Sequence, residues 1–202
     1  MTHDRYTGPT YPDSAVFLDR DGTLIEEVGY LDRPERVELY PWATDAIRAL
    51  NRVGVRIVMV TNQSGLARGF FTEQTLQRVH DRIAERLALG GAHIDAYYYC
   101  PHHPDGKVAA LARACDCRKP GRALVDRAVD AFGIDPARSF AVGDRWFDVA
   151  LARTVGAKGV LVRTGYGAHE EQHPTLGLVP DVVVDSLVGA SSWILGQLMN
   201  QA

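Results

Sequence analysis

Six short apolar segments recur along the chain, each with the length and the β-branched or aromatic content of a buried strand. They are AVFL (15–18), RIVMV (56–60), IDAYYY (94–99), SFAV (139–142), GVLV (159–162) and DVVV (181–184). Short, nearly continuous apolar runs are typical of strands that are covered on both faces. The pattern therefore predicts a parallel sheet with helices on both of its sides.

Between these strands lie four stretches with apolar residues at helical spacing, each of which ends at glycine. They are WATDAIRALNRVG (42–54), residues 72–91, RALVDRAVDAFG (122–133) and FDVALARTVG (147–156). Glycine is a common residue just past a helix C-terminus. Strands that alternate with helices indicate an α/β protein with a doubly wound, mostly parallel, Rossmann-like sheet.

Length and composition add limits to this picture. The 202 residues suffice for one domain, which we expect over 14–202, after a flexible polar arm at 1–13. A net charge of −3 argues against a nucleic-acid or membrane-surface partner. We see no apolar run typical of a signal peptide or a membrane span, so we expect a cytoplasmic protein. The sequence does not fix the oligomeric state, and a monomer is the favoured one.

Polar motifs lie at the predicted carboxyl ends of strands, where ligands bind in such sheets. Asp19 and Asp21 in DRDGT follow the first strand, and Asp144 in GDRWFD follows the fourth. Thr61 in TNQSG offers a hydroxyl to an anion, and Lys119 in CRKPG precedes the third helix. An isolated pair of acids is as often a solvated loop edge. Together, however, three acids suit Mg²⁺, which also removes their mutual repulsion.

These four motifs, in this order over residues 17–148, resemble those of the haloacid dehalogenase superfamily of phosphohydrolases. The resemblance implies that Asp19 attacks phosphorus to form an aspartyl-phosphate and that Asp21 acts as general acid and then general base. It also implies that Asp19, the Asp21 backbone carbonyl and Asp144 bind Mg²⁺. Thr61 and Lys119 would stabilise the phosphoryl oxygens.

A wider match, with Gly-Tyr after the first motif and clustered cysteines, resembles the D,D-heptose 1,7-bisphosphate phosphatase and histidinol-phosphatase subfamily. This family pattern implies a set of substrate-binding residues: Glu27, Val28, Gly29, Tyr30, Asn62, Gln63, Ser64, Arg118 and Arg145. At Arg145 the family usually has lysine, which is a point charge where arginine is a planar fork. Asp148 either supports the metal site or orients Lys119. Arg20 is expected to point away from the two acids and to be structural.

All three cysteines lie within eighteen residues of one another. With one histidine they form a Cys₃His set typical of structural zinc sites: Cys100, His102, Cys115 and Cys117. The alternative is a loop with free thiols, and His103 is the alternative imidazole, although the family pattern favours His102. We expect Zn²⁺ to shape loop 100–117 within the phosphatase domain.

The segment HEEQH (169–173) matches the H-E-x-x-H expression of zinc proteases. That site needs one continuous helix, and we expect Pro174 to disfavour helical geometry at His173. We interpret the match as accidental.

The expected substrate is a sugar bisphosphate, because the catalytic motifs account for one phosphate and leave Arg118 and Arg145 for a second. The leading candidate is D-glycero-D-manno-heptose 1,7-bisphosphate, which would lose its C7 phosphate. Histidinol phosphate or another small phosphate ester is the alternative substrate. A non-catalytic, zinc-stabilised binding module is the alternative from a different class. The open, capless site follows from the motif spacing, which leaves no room for a cap domain.

Overall fold

A six-stranded, fully parallel sheet forms the centre of the computed structural model, which describes residues 6–200. The strands are β1 (Ala15–Leu18), β2 (Arg56–Asn62), β3 (Ala96–Cys100), β4 (Phe140–Gly143), β5 (Lys158–Val162) and β6 (Val182–Val184). Their order is β3-β2-β1-β4-β5-β6. Strand β1 therefore lies between β2 and β4, at the switch point where a doubly wound sheet binds its ligands.

Within the described residues, seven α-helices cover the sheet. They are α1 (Ala43–Arg52), α2 (Ser64–Arg68), α3 (Glu73–Leu89), α4 (Ala123–Phe132), α5 (Trp146–Val155), α6 (Gly167–Gln172) and α7 (Leu187–Met199). Strand alternation sends Val16 and Leu18 into a core shared with α1, α3 and α7. Ala15 and Phe17 point into a second core, shared with α4 and α5. The sheet thus separates two apolar layers and places its carboxyl edge between them.

All six predicted strands and all four predicted helices are present, with boundaries shifted by at most a few residues. The sequence patterns missed the short helices α2 and α6 and the long helix α7. Residues 19–42 and 101–122 hold only loops, one 3₁₀ turn at Pro34–Arg36 and isolated bridges, so neither insertion forms a cap domain. The capless α/β fold is confirmed.

The segment 1–13, expected to be a flexible arm, contacts the domain at its end. Residues 1–5 lie outside the described part of the chain. Tyr11 is buried and its backbone N–H donates to the Val53 carbonyl, while Asp13 forms an ion pair of 2.6 Å with Arg138. Residues 11–13 are therefore attached to the domain. No helix within residues 6–200 is long and apolar enough to cross a membrane.

Candidate active site

Asp19 and Lys119 form a buried ion pair at the carboxyl end of the sheet. Asp19 follows β1, and its carboxylate lies 2.7 Å from the Lys119 ammonium. The same ammonium lies 2.7 Å from Asp148, on the first turn of α5. Burial lowers the pKa of Lys119, but the carboxylates of Asp148 and Asp19 raise it by more, so Lys119 stays protonated. This contact gives Asp148 the role of orienting Lys119, and its carboxylate also lies beside those of Asp19 and Asp144.

Asp144, directly after β4, completes a cluster of carboxylates. Oxygens of Asp19, Asp144 and Asp148 lie within 4.8 Å of one another, and all three residues are buried. Burial and the negative charge of Asp19 raise the pKa of Asp144 to about 8. With all three carboxylates ionised, the cluster would carry more negative charge than Lys119 offsets. Because the donors are carboxylate oxygens, the cluster fits a hard divalent cation such as Mg²⁺.

Two glycines make room for the Asp144 carboxylate. Gly22 and Gly165 have φ angles of +74° and +56°, and a Cβ on either residue would collide with that carboxylate. The Tyr166 backbone N–H donates to Asp144 Oδ2 at 2.8 Å. The close approach of these two loops fixes the acid in one orientation, and it requires glycine in both.

Asp21 turns away from this carboxylate cluster. The Asp21 carboxylate accepts hydrogen bonds from Arg20 Nε at 3.1 Å and Arg20 Nη2 at 2.9 Å. It also accepts one from Gln63 Nε2 at 3.0 Å. Gln63 Nε2 also donates to Thr61 Oγ1 at 2.8 Å. The expectation that Arg20 points away from the acids is wrong. Strand alternation stops at Leu18, so it does not separate Arg20 from Asp21.

Asn62 connects β2 to the loop that contains Lys119. Its Oδ1 accepts a hydrogen bond from the Lys119 backbone N–H at 2.9 Å, and its Nδ2 donates to the Lys119 carbonyl at 3.3 Å. The peptide bond between Lys119 and Pro120 is cis. Asn62, expected to touch substrate, thus holds the backbone of Lys119 across 57 residues of sequence.

A cavity of about 290 Å³ opens above these residues. Most of the predicted site residues line it: Asp19, Asp21, Glu27, Gly29, Tyr30, Thr61, Asn62, Gln63, Ser64, Arg118, Asp144 and Arg145. Val28 and Lys119 do not. The Val28 side chain packs against the hydrophobic core, and the buried Lys119 ammonium lies between Asp19 and Asp148. Gly65, Phe147 and Tyr166 also line the cavity, and the sequence analysis did not single them out.

Arg145 is held by residues of the loop and helix that follow β5. Its guanidinium lies 4.1 Å from the centre of the Tyr166 ring and its Nε 3.6 Å from a Glu170 carboxylate oxygen. Glu170 also accepts a hydrogen bond from the Trp146 backbone N–H at 3.1 Å. A planar guanidinium can stack on an aromatic ring in a way that an ammonium cannot. The structure thus gives the arginine at this position a partner suited to it.

Three thiols and one imidazole meet below the loop that carries Arg118. The sulfur atoms of Cys100, Cys115 and Cys117 lie 3.3–3.4 Å apart, and His102 Nδ1 lies 3.3 Å from Cys117 Sγ. Ligands of a tetrahedral zinc ion with bonds of about 2.3 Å would be separated by about 3.7 Å. The set therefore fits zinc. His103 lies outside it, with its Nδ1 accepting a hydrogen bond from the Asp105 backbone.

The HEEQH segment is more helical than expected. Helix α6 runs from Gly167 to Gln172, and the rings of His169 and His173 stack at 4.1 Å. The helix ends just before His173, as Pro174 predicts. Glu170, which would be the general base of such a protease, turns towards Trp146 and Arg145. Among the described residues, no third ligand joins the two histidines.

Comparisons with known proteins agree with this geometry. A HAD-hydrolase-like family model matches residues 116–190. The chain is 44% identical over 153 residues to the D-glycero-beta-D-manno-heptose-1,7-bisphosphate 7-phosphatase of Yersinia pestis, covering 75% of this chain and 81% of that protein. The corresponding 7-phosphatase of Thermosynechococcus vestitus is 39% identical over 195 residues, or 93% of this chain and 98% of the relative.

A solved structure extends the similarity to the whole fold. The D,D-heptose 1,7-bisphosphate phosphatase of B. bronchiseptica, complexed with magnesium and phosphate, superposes with a TM-score of 0.81. The alignment has 32% identity and covers 91% of this chain and 99% of that structure.

Proposed function

The chain belongs to the haloacid dehalogenase-like phosphatases, in the group of the heptose-1,7-bisphosphate 7-phosphatases, and we propose that it removes the C7 phosphate of D-glycero-D-manno-heptose 1,7-bisphosphate. The observation that carries this proposal is one cavity that holds both the catalytic acids and two arginines. Asp19, Asp21 and Asp144 line it together with Arg118 and Arg145.

The first half of the reaction uses Asp19 and Asp21. The Asp19 carboxylate attacks the C7 phosphorus, the bond from phosphorus to the C7 oxygen breaks, and Asp21 gives its proton to the leaving alkoxide. In the second half a water molecule attacks the aspartyl-phosphate and gives a proton to Asp21. Inorganic phosphate then leaves, and Asp19 is again a free carboxylate.

Thr61 and Lys119 bind the phosphoryl oxygens during both steps. Lys119 is charged, buried and fixed by Asp148, so its ammonium needs little reorganisation as negative charge develops. Asp19, the Asp21 backbone carbonyl and Asp144 would hold Mg²⁺, which when bound supplies positive charge for the same oxygens.

The second phosphate of the substrate is assigned to Arg118 and Arg145. Both guanidiniums line the cavity, and arginine forks suit phosphate oxygens. Glu27 also lines it; burial raises the pKa of its carboxyl group, although its Oε1 accepts a hydrogen bond from the Gly29 N–H. Histidinol phosphate offers cationic groups instead of a second phosphate and would leave both arginines without a phosphate to bind.

The test compares kcat/KM for three substrates: the heptose 1,7-bisphosphate, heptose 7-phosphate and histidinol phosphate. We expect the bisphosphate to exceed both of the others by at least ~100-fold, because the remote phosphate adds binding energy in the transition state. Arg118→Ala should narrow the difference between the bisphosphate and heptose 7-phosphate. Arg122→Ala is the matched control, since that exposed arginine pairs with Asp126.

Asp19→Asn tests the chemistry separately and should abolish turnover of every substrate. Substantial turnover by the purified variant would reject the covalent mechanism. A preference of the unmodified protein for histidinol phosphate would reject the substrate and leave the phosphatase class intact.

We also infer a structural Zn²⁺ held by Cys100, His102, Cys115 and Cys117, in a loop that leads directly into Arg118. Thiolate ligands persist in a reducing compartment, in keeping with the expected cytoplasmic location. Metal analysis should find about one zinc per chain, and activity should depend on added Mg²⁺. Folded, active protein without zinc would reject the inference.

A further inference from the structure

Arg20 lies in the middle of the DRDGT motif and has no role in the mechanism above. We propose that Arg20 is a positioning residue, which together with Gln63 holds the Asp21 carboxylate in the orientation for proton transfer. The proposal rests on the acid–base role of Asp21 and adds the groups through which that role is controlled.

The three side chains form a closed ring of hydrogen bonds. Arg20 donates to both Asp21 oxygens, and its Nη2 also donates to Gln63 Oε1 at 3.0 Å. Gln63 Nε2 in turn donates to Asp21 Oδ2 at 3.0 Å, which closes the ring. Because Arg20 occupies the amide oxygen of Gln63, the amide nitrogen must face Asp21. Each side chain thus fixes the orientation of the next.

Burial makes this arrangement informative. Arg20 is 1% exposed and Gln63 4%, whereas the Asp21 side chain is 17% exposed and lines the cavity. Burying a guanidinium costs free energy that a single ion pair does not reliably offset, so stability alone is a weak reason for it. Arg20 Nη1 has no hydrogen-bond partner in the described part of the chain, so every hydrogen bond of the guanidinium goes to Asp21 or Gln63, and Asp21 lines the cavity. That is the geometry of an oriented acid.

The position of the metal site explains why an orienting residue is needed. Asp19, Asp144 and Asp148 hold their carboxylates together, and a cation at that site would attract the Asp21 carboxylate as well. A carboxylate drawn onto a cation could not transfer a proton to the substrate oxygen. The hydrogen bonds from Arg20 and Gln63 hold Asp21 in one place beside the cavity and keep it available for the leaving group.

The proposal predicts a dependence on the leaving group. Glycerol phosphate releases an alkoxide that must be protonated, whereas p-nitrophenyl phosphate releases a stable phenolate that needs no proton. Since kcat/KM reports only the steps up to phosphoryl transfer to Asp19, it isolates the acid step. Arg20→Met should lower kcat/KM for glycerol phosphate by ~30-fold or more, a large part of the ~100-fold of acid–base catalysis. The value for p-nitrophenyl phosphate should change by less than ~3-fold.

The experiment measures both substrates with Arg20→Met, Arg20→Lys, Gln63→Met, Asp21→Asn and the double variant Arg20→Met/Asp21→Asn. Circular dichroism and metal content establish that each variant is folded. Arg20→Lys keeps the buried charge but loses the fork, so it should still show most of the effect. Gln63→Met should shift the ratio in the same direction by a smaller factor, and it carries the test if Arg20→Met does not fold. In the double variant, loss of Arg20 should add less than ~2-fold to the loss from Asp21→Asn.

An equal fall for the two substrates, or a double variant in which the losses multiply, would overturn the positioning role while leaving the acid–base role of Asp21 in place. Full glycerol phosphate activity in Asp21→Asn would overturn both.

Discussion

His80 is a buried histidine that the folded protein keeps neutral, and the dependence of stability on pH tests this. It lies on α3, is 3% exposed, and stacks on Tyr97 at a ring separation of 5.1 Å. Its Nε2 has no hydrogen-bond partner among the described residues. Burial, and to a smaller extent the charge of Arg20, lower the pKa of His80 from 6.5 to about 3.

The sign and size of the effect on stability follow from linkage. The unfolded chain protonates His80 below pH 6.5, whereas the folded protein does so only near pH 3. The folded state therefore loses stability relative to the unfolded chain as the pH falls from 6.5 towards 3. At pH 5 the loss amounts to about 2 kcal/mol, at about 1.4 kcal/mol for each pH unit below 6.5.

The assay is urea unfolding at pH 7 and pH 5 for the unmodified protein, His80→Phe and His80→Gln. The free energy of unfolding should fall by about 2 kcal/mol more in the unmodified protein than in either variant. Other groups that titrate in this range, including those of the metal sites, contribute to all three proteins and cancel in the comparison. If all three lose the same stability between the two pH values, His80 is not held neutral and the reasoning fails.

Four further outcomes are expected. Gly165→Ala should weaken Mg²⁺ activation by about 10- to 100-fold in a metal titration, because its Cβ would displace the Asp144 carboxylate; unchanged activation would contradict the close-approach argument. Leu50→Ala, fully buried in the core, should cost 2–5 kcal/mol in urea unfolding and leave kcat of the folded enzyme unaltered. Cys115→Ser should lose most bound zinc and lower Tm in calorimetry, and a normal zinc content would remove Cys115 from the ligand set. Arg145→Lys should reduce kcat/KM for the bisphosphate by about tenfold through loss of ring stacking; an equal fall for heptose 7-phosphate would place the effect elsewhere.

The elements that the sequence revealed are those with a one-sided or fully apolar pattern of known period. Strand β2 has a continuous apolar run at residues 57–60, and α1 repeats its apolar residues every three or four positions. Helix α7 was missed because Leu187–Met199 is apolar on most of its circumference and has no polar face to define a stripe. Its identity as a helix depends on the partners that bury it.

The site residues likewise divide into those that the sequence predicts and those that it does not. Asp19, Thr61, Lys119 and Asp144 were predictable because each follows a strand or precedes a helix within a recognisable motif. The contact of Tyr166 with Arg145 was not, since it joins a loop after β5 to the end of β4. Arg20 was misplaced because strand alternation was extended past the residue where β1 ends.

The residues around the cavity fall into two groups. One group carries out the reaction and includes residues attached to the central strands, and the other selects the substrate and includes residues on loops. Asp19, Thr61 and Asp144 are attached directly to three neighbouring central strands, where a change in any one is transmitted to two packed cores. Residues assigned to the rest of the substrate, such as Tyr30 and Arg118, stand on loops with solvent beside them. Substitutions in those loops carry a small folding penalty. During evolution the scaffold can therefore come to accept new phosphate-ester substrates through exchange of these loops. The hydrolytic chemistry is retained at each step.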